Sequence, residues 1–253
     1  MSDLAASVAT CAARVEAGDP DRFAAVMASP AELRARLWPL YAANLEIARA
    51  PWASAEPIVA EMRLQWWVDA LEDLAATGRA PAHEIGPALA DLRDQAGLLA
   101  AVAEARRWDC WRDPFSDRAA FETYLDQTAG NLYWAAARAL GAAPGDERAV
   151  RDHGFAAGLA AWLSAVPALE AQGRKPLHDG RPEAVADLAR AGLARMQATN
   201  LSGAAALALL PGWQARATLN RAARDPARVA QGALAGSEFG RRASLLWRAL
   251  FLR

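Results

Sequence analysis

The chain has 253 residues, 54% hydrophobic and 23% charged, with a formal net charge of −1. That length fits one large domain or two small ones, and the balance is that of globular material rather than a disordered or strongly basic chain. Two cysteines, Cys11 and Cys110, lie far apart without metal-like spacing, so no disulfide framework follows and a reducing compartment is expected.

Alanine dominates, and isoleucine occurs only at Ile47, Ile58 and Ile85, which favours helix over strand. The start, MSDLAASVAT, carries Asp3 and no apolar signal core. A helix is predicted from Leu4 to Glu16, with a break at Gly18. Asp19-Pro20 then caps a short helix ending near Ala28.

The stretch from Arg34 to Leu71 reads as two helices joined by a break at Pro51-Trp52-Ala53-Ser54. Ser29, Pro30 and Glu32 have the pattern of a cap, a first-turn proline and a capping box. Leu33, Leu37, Leu40, Tyr41 and Leu45 recur at helical spacing in the first helix. Leu64, Trp67, Val68 and Leu71 form the stripe of the second, with Trp66 beside it. Adjacent tryptophans bury much surface, so Tyr41, Leu64, Trp66, Trp67 and Leu71 are the expected core of a helical hairpin.

Thr77 to Pro87 reads as a loop. Helices are predicted over Ala88–Trp108, over Asp117–Leu140 with Ser116 as cap, and over Asp146–Leu169, separated by the Asp113-Pro114 break and the Gly141–Gly145 turn. Gly154 to Leu169 is an uncharged run of Ala-rich sequence, shorter and less apolar than a spanning helix requires, and reads as a buried core helix. After a loop from Gly173 to Pro182, helices follow near Glu183–Thr199, Ala204–Leu210, Trp213–Arg224, Pro226–Ala233 and Glu238–Leu252. No alternating strand pattern and no repeat occurs. The expectation is an all-α chain, one domain over 1–253, with 238–253 as a C-terminal amphipathic helix.

Several short segments together resemble the squalene/phytoene synthase family. They are Asp21-Arg22-Phe23, Tyr41-Ala42-Ala43-Asn44 with Glu46-Ile47-Ala48-Arg49, Glu56-Pro57, Arg63-Leu64-Gln65-Trp66-Trp67 with Asp69-Ala70-Leu71, Tyr124 to Gly130, Gly173-Arg174, Ala194-Arg195 and Leu210-Pro211. Their order covers most of the chain. The resemblance is strongest to the branch containing mitochondrial complex I assembly factors and their bacterial relatives. It implies an isoprenoid-synthase-like helical bundle.

Family enzymes join two prenyl diphosphates and hold Mg²⁺ with two aspartate-rich motifs on facing helices. The leaving diphosphate concentrates negative charge that carboxylate-bridged metal ions neutralise. By the resemblance, the first motif should fall just after Tyr41, where this chain has Ala48, Arg49, Ala50, Pro51 and Trp52. The second should lie on the helix containing Gly158, where it has Ala161 to Leu169 with Glu170 alone nearby. Removing one preorganised charge-stabilising group typically costs about 10²–10³ in rate. The resemblance therefore implies a pseudoenzyme, with no catalytic, metal or cofactor-binding residue, that serves complex I as an assembly factor or accessory subunit. A divergent prenyl-diphosphate transferase using other acids, and a non-catalytic isoprenoid- or lipid-binding protein, are the alternatives.

Other candidates are weaker. Asp69 with Asp73, and Asp109 with Asp113, have the spacing of paired ligands but read as solvated acidic faces. His83, His153 and His178 show no ligand spacing. There is no nucleophile elbow, phosphate-binding loop or dinucleotide fingerprint, so no cofactor is expected.

The tail carries the last signal. Residues 181–253 hold eleven arginines and four acids, a balance of +7 that leaves −8 for the rest. Leu246, Trp247, Leu250 and Phe251 share a face, with Arg241, Arg242, Arg248 and Arg253 around them. This suits either an interfacial helix docking on a partner or membrane, or an ordinary terminal helix packed on its own core. The expected partners are complex I subunits and a peripheral membrane contact, not nucleic acid, with the chain cytoplasmic at the inner face of the cell membrane.

Overall fold

Fourteen α-helices are found among the residues that the computed structural model describes, 2–197, 201 and 203–251, and no strand occurs among them. The all-α expectation holds. Helix α1 spans Ser2–Gly18 and α2 spans Pro20–Met27. Asp19 caps α2 as its sequence implies, its carboxylate accepting from the Arg22 N–H at 2.9 Å, ahead of Pro20 in the first turn.

Helix α3 (Ala31–Arg49) starts differently from expectation. Ser29 does not cap it: the Ser29 hydroxyl donates back to the Ala25 carbonyl at 3.3 Å, and no side chain caps the helix. The Arg34 side chain instead donates to the Ser29 and Met27 carbonyls, at 3.0 and 2.7 Å, and closes the end of α2. A 3₁₀ turn at Ala50–Trp52 makes the expected break before α4 (Pro57–Thr77), which ends on Gly78 at φ 80°, a left-handed position suited to glycine.

The two helices do not pack chiefly on each other. The main partner of α4 is α6 (Arg93–Ala105), whereas α3 packs on α1, α6 and α8 (Asn131–Ala139). Tyr41, Leu64, Trp67 and Leu71 are buried as predicted, but Trp66 is 40% exposed. One residue off the stripe is a rotation of about 100° on a helix. Trp66 therefore stands at the rim, edge-on to Trp67 with ring centroids 4.9 Å apart.

The predicted loop before residue 88 contains the start of a short helix, α5 (Gly86–Leu89), joined to α6 by a 3₁₀ turn. The helix predicted over Asp117–Leu140 is interrupted. It comprises α7 (Arg118–Leu125), one π turn at Asp126–Gly130, and α8. Asp117, not Ser116, caps α7, accepting from the Ala120 N–H at 2.8 Å.

Helix α9 (Glu147–Ala171) is the one described helix long and apolar enough to cross a membrane by length and composition. It buries Val150, Phe155, Leu159, Leu163 and Val166 and packs on α8, α10 (Pro182–Gln197), α12 (Ala215–Arg224) and the π turn, so its apolar residues belong to the core. The chain then runs through α11 (Gly203–Ala208), α12, α13 (Ala227–Ala230) and α14 (Glu238–Phe251). The ends predicted at Thr199 and Leu252 lie outside the described residues.

The buried side chains form two main clusters. One joins α1, α3, α4, α6 and α8; the other joins α7, α9, α10 and α12. A small third cluster of Ala25, Leu210, Trp213 and Leu245 ties α14 to the body.

Candidate functional site: a central cavity and the surface of the terminal helix

A cavity of about 690 Å³ is lined by side chains from both main clusters. Its apolar wall comes from Leu125, Ala129, Leu132, Ala157, Ala161 and Trp162. Close helix approach builds that wall. A Cβ on Gly158 would stand 2.5 Å from the Ala129 Cβ, so the π turn sits directly against α9.

Two polar groups line the same cavity. In the first, Asp19 caps α2 and pairs with Arg22 at 3.0 Å, and Asp21 accepts from the Gln214 amide at 2.8 Å. The Arg22 guanidinium lies 5.1 Å from the Tyr41 ring centre, and burial pushes the Tyr41 hydroxyl up to about 12. In the second, Asp109 is only 3% exposed. It accepts from the Tyr124 hydroxyl at 2.9 and 3.0 Å and from Arg106 at 2.9 Å. Burial, then the Asp109 charge, raises the Tyr124 hydroxyl far above the ordinary range, so it stays a donor. Asp109 is thus no solvated acidic face. It is a buried acceptor whose charge is answered by an arginine and a phenol.

Arg174 closes the outer edge. Its guanidinium stacks on the Trp52 ring at 4.5 Å and donates to the Trp111 carbonyl at 2.8 Å and to the Asp109 carbonyl. Arg195 joins α10 to its neighbours, reaching Glu122 and Asp126 at 3.2 Å and stacking 3.6 Å over Phe155. Several segments quoted for the family resemblance therefore meet here: Arg22, Asn44, Tyr124 and Pro211 all line the cavity. The Arg106–Asp109–Tyr124 cluster escaped the sequence reading. Its one available signal was Tyr124 heading a quoted segment.

This arrangement can enclose an apolar molecule; it does not fit a magnesium cluster. Mg²⁺ in phosphate chemistry needs carboxylates free to share it with substrate oxygens. The cavity-facing residues of α3 and α9 include Asn44, Ala157, Gly158, Ala161 and Ala165, none of them a carboxylate. The three lining carboxylates, Asp19, Asp21 and Asp109, are each engaged by protein donors. No group of three or more His, Cys, Asp or Glu placed to hold a metal occurs among the described residues. Asp69 accepts from the Gln65 amide, and Asp73 pairs with Arg79 at 3.3 Å. Both cysteines are buried free thiols, pushed up by burial to about 12 at Cys11 and about 11 at Cys110, which leaves neither a thiolate nucleophile.

The terminal helix presents a different face from a simple core helix. Leu245 is its buried anchor, whereas Leu246 and Trp247 are 63% and 65% exposed. Phe239, not singled out from the sequence, is 85% exposed on the same helix. Arg242 is exposed and pairs with Glu238 at 2.5 Å. Arg248 is half-buried beside Arg216. The side chains of Arg241, Leu250, Phe251 and Arg253 lie outside the described set.

The squalene/phytoene synthase family model matches residues 15–177. The fold is similar to that of a dehydrosqualene synthase crystallised in complex with ligand, with a TM-score of 0.75 and 15% identity, covering 99% of this chain and 98% of that one. No curated protein matches the chain. The likeness to the solved structure establishes an isoprenoid-synthase-like helical fold. With the family model spanning more than half its length, the chain belongs to the squalene/phytoene synthase family.

Proposed function

We propose that this chain is a non-catalytic member of its family that serves respiratory complex I as an assembly factor or accessory subunit, at the inner face of the cell membrane. The observation that carries the reading is the cavity's carboxylate inventory. Of the positions where the family's metal aspartates are expected, Trp52, Ala161, Trp162, Ser164, Ala165 and Leu169 line the cavity and none is an acid, and the lining acids that remain are bonded to the protein itself. Without metal-held charge, a diphosphate leaving group has little to stabilise it.

Protein docking is supported by the surface. Ile58, Met62 and Trp66, spaced four apart on α4, are 66%, 67% and 40% exposed, so they form an outward apolar stripe. Exposed contiguous apolar surface marks interaction sites, and tryptophan and arginine are favoured contact residues.

Two experiments test the reading. Incubation with farnesyl or geranylgeranyl diphosphate and Mg²⁺ or Mn²⁺ should yield no condensed product above a no-enzyme control; product would restore the prenyl-diphosphate transferase alternative. A tagged pull-down from solubilised membranes should recover complex I subunits, and their absence would remove the assembly role. The cavity of about 690 Å³ favours one second reading, a non-catalytic isoprenoid- or lipid-binding protein. Extraction and mass spectrometry of the purified chain would identify such a ligand.

A further inference from the structure

Many arginines of this chain are answered by acids among the described residues. Arg14, Arg22, Arg106, Arg107, Arg151 and Arg195 all form ion pairs. Arg216 and Arg248 differ. Both line a pocket of about 190 Å³ between α12 and α14, and neither is in an ion pair among the described residues. The protein bond made by Arg216 is to the Met196 carbonyl at 3.2 Å. Burial and the Arg216 charge together hold Arg248 below the ordinary arginine range. His153 lines the same pocket at 4% exposure. Two partly buried like charges lining one pocket are unfavourable unless an anion bridges them. A second groove of about 370 Å³ opens from the same two arginines, with Arg221, Ser237 and Ser244 along it, so the pair is reachable from the surface beside α14.

The rest of α14 indicates which anion. Phe239, Ala243, Leu246 and Trp247 follow helical i, i+4, i+7, i+8 spacing and all are exposed. The larger apolar stripe thus faces outward, and the arginine pair sits at its inner margin. An aromatic and aliphatic face with arginines beside it is the pattern of a helix lying in a lipid interface. Guanidinium forks match phosphate oxygens, and the +7 balance of residues 181–253 points the same way.

We propose that Arg216 and Arg248 form a headgroup site for an anionic phospholipid, and that the outward face of α14 enters the membrane interface beside it. This rests on the membrane-peripheral reading above but not on the identity of the membrane complex. Arg216 and Arg248 hold the phosphate, while Phe239, Leu246 and Trp247 supply apolar burial.

The full chain would be co-sedimented with vesicles of phosphatidylcholine alone and of phosphatidylcholine with phosphatidylglycerol. The wild type should bind the anionic vesicles. The double variant Arg216→Gln/Arg248→Gln should lose about fivefold for each arginine, roughly thirtyfold together. Arg216→Lys/Arg248→Lys, which keeps the charge and loses the forks, should bind between the wild type and the glutamine variant, and thermal unfolding would confirm that both variants are folded. Leu246→Ala/Trp247→Ala should weaken binding to anionic vesicles even with the arginines intact. Equal binding of wild type and the glutamine variant to anionic vesicles would overturn the headgroup site while sparing the membrane reading. No binding of the wild type to either vesicle would overturn both and favour a protein occupant. Stabilisation of the wild type by inorganic phosphate, without preference for anionic vesicles, would overturn the lipid assignment in favour of a soluble phosphate ligand.

Discussion

His153 gives the most demanding test of the interior. It is 4% exposed on α9, and burial, then Arg248 and Arg216, push its imidazole down to about 4 from an ordinary 6.5. The folded pKa lies below the unfolded one, so the unfolded chain binds the proton first as pH falls. Stability from this residue is fully present above the unfolded value and is lost as pH falls from there towards the folded one. A depression of this size is worth about 3 kcal/mol in full, and about 2 kcal/mol of it is lost by about pH 5. His153→Gln keeps the size of the side chain and removes the titration. Urea unfolding of both proteins, from about pH 7.5 to about pH 4.5, isolates the histidine because other groups titrate in both. His83, lowered in the same direction chiefly by burial, is common to the two and cancels. The difference in stability between wild type and variant should be flat above about pH 7 and should shift against the wild type by about 2 kcal/mol at about pH 5. A constant difference throughout would refute the reasoning and mean that His153 keeps its ordinary pKa in the folded chain, as a solvated ring does.

Trp67→Ala should cost about 3–5 kcal/mol, lowering the melting temperature by roughly 6–20 °C, whereas the rim residue Trp66→Ala should cost about 1 kcal/mol; thermal denaturation followed by circular dichroism decides, and equal losses would mean both rings share one environment. Asp109→Asn should cost about 3–5 kcal/mol by leaving Arg106 without its buried partner, and Tyr124→Phe only about 1–2 kcal/mol, read by urea unfolding, with a near-neutral Asp109→Asn disproving the buried pair. Gly158→Val should cost about 1–3 kcal/mol or more, since even its Cβ would meet Ala129, and an unchanged melting temperature would show that α9 and the π turn can separate freely.

Much of the fold was legible because punctuation and apolar period act locally. Asp19-Pro20 caps α2 as read, and the stripe from Leu64 to Leu71 is buried as read. Ser29 looked like a cap of the same kind, but Arg34 competes for that corner and the serine hydroxyl turns back to Ala25. The π turn at Asp126–Gly130 is announced by nothing stronger than the single Gly130 at its end. It is seated where Ala129 meets Gly158, a contact between segments far apart in sequence. The cavity was less legible still. Asp109 read as half of an exposed pair with Asp113, and only the return of Tyr124 past it, with Arg106 one turn before, makes it a buried acceptor. Polar clusters assembled from separate helices leave no spacing for a sequence reading to find.

The separation between satisfied and unsatisfied charge bears on what the chain does. Inside the cavity the carboxylates are answered by protein donors: Asp19 by Arg22 and a backbone amide, Asp21 by Gln214, Asp109 by Tyr124 and Arg106. An acid already committed in this way must break those bonds before it can ligate a metal, and breaking a buried pair costs several kcal/mol. Outside, the opposite holds. The α4 stripe of Ile58, Met62 and Trp66 is open to solvent, Phe239, Leu246 and Trp247 of α14 are exposed where only Leu245 is its buried anchor, and Arg216 and Arg248 line one pocket without an ion-pair partner among the described residues. Capacity to bind is thus concentrated at the surface and at the margin of the terminal helix. The proposed docking role rests on these exposed apolar and cationic groups, and the vesicle and pull-down experiments test it against lipid and against protein.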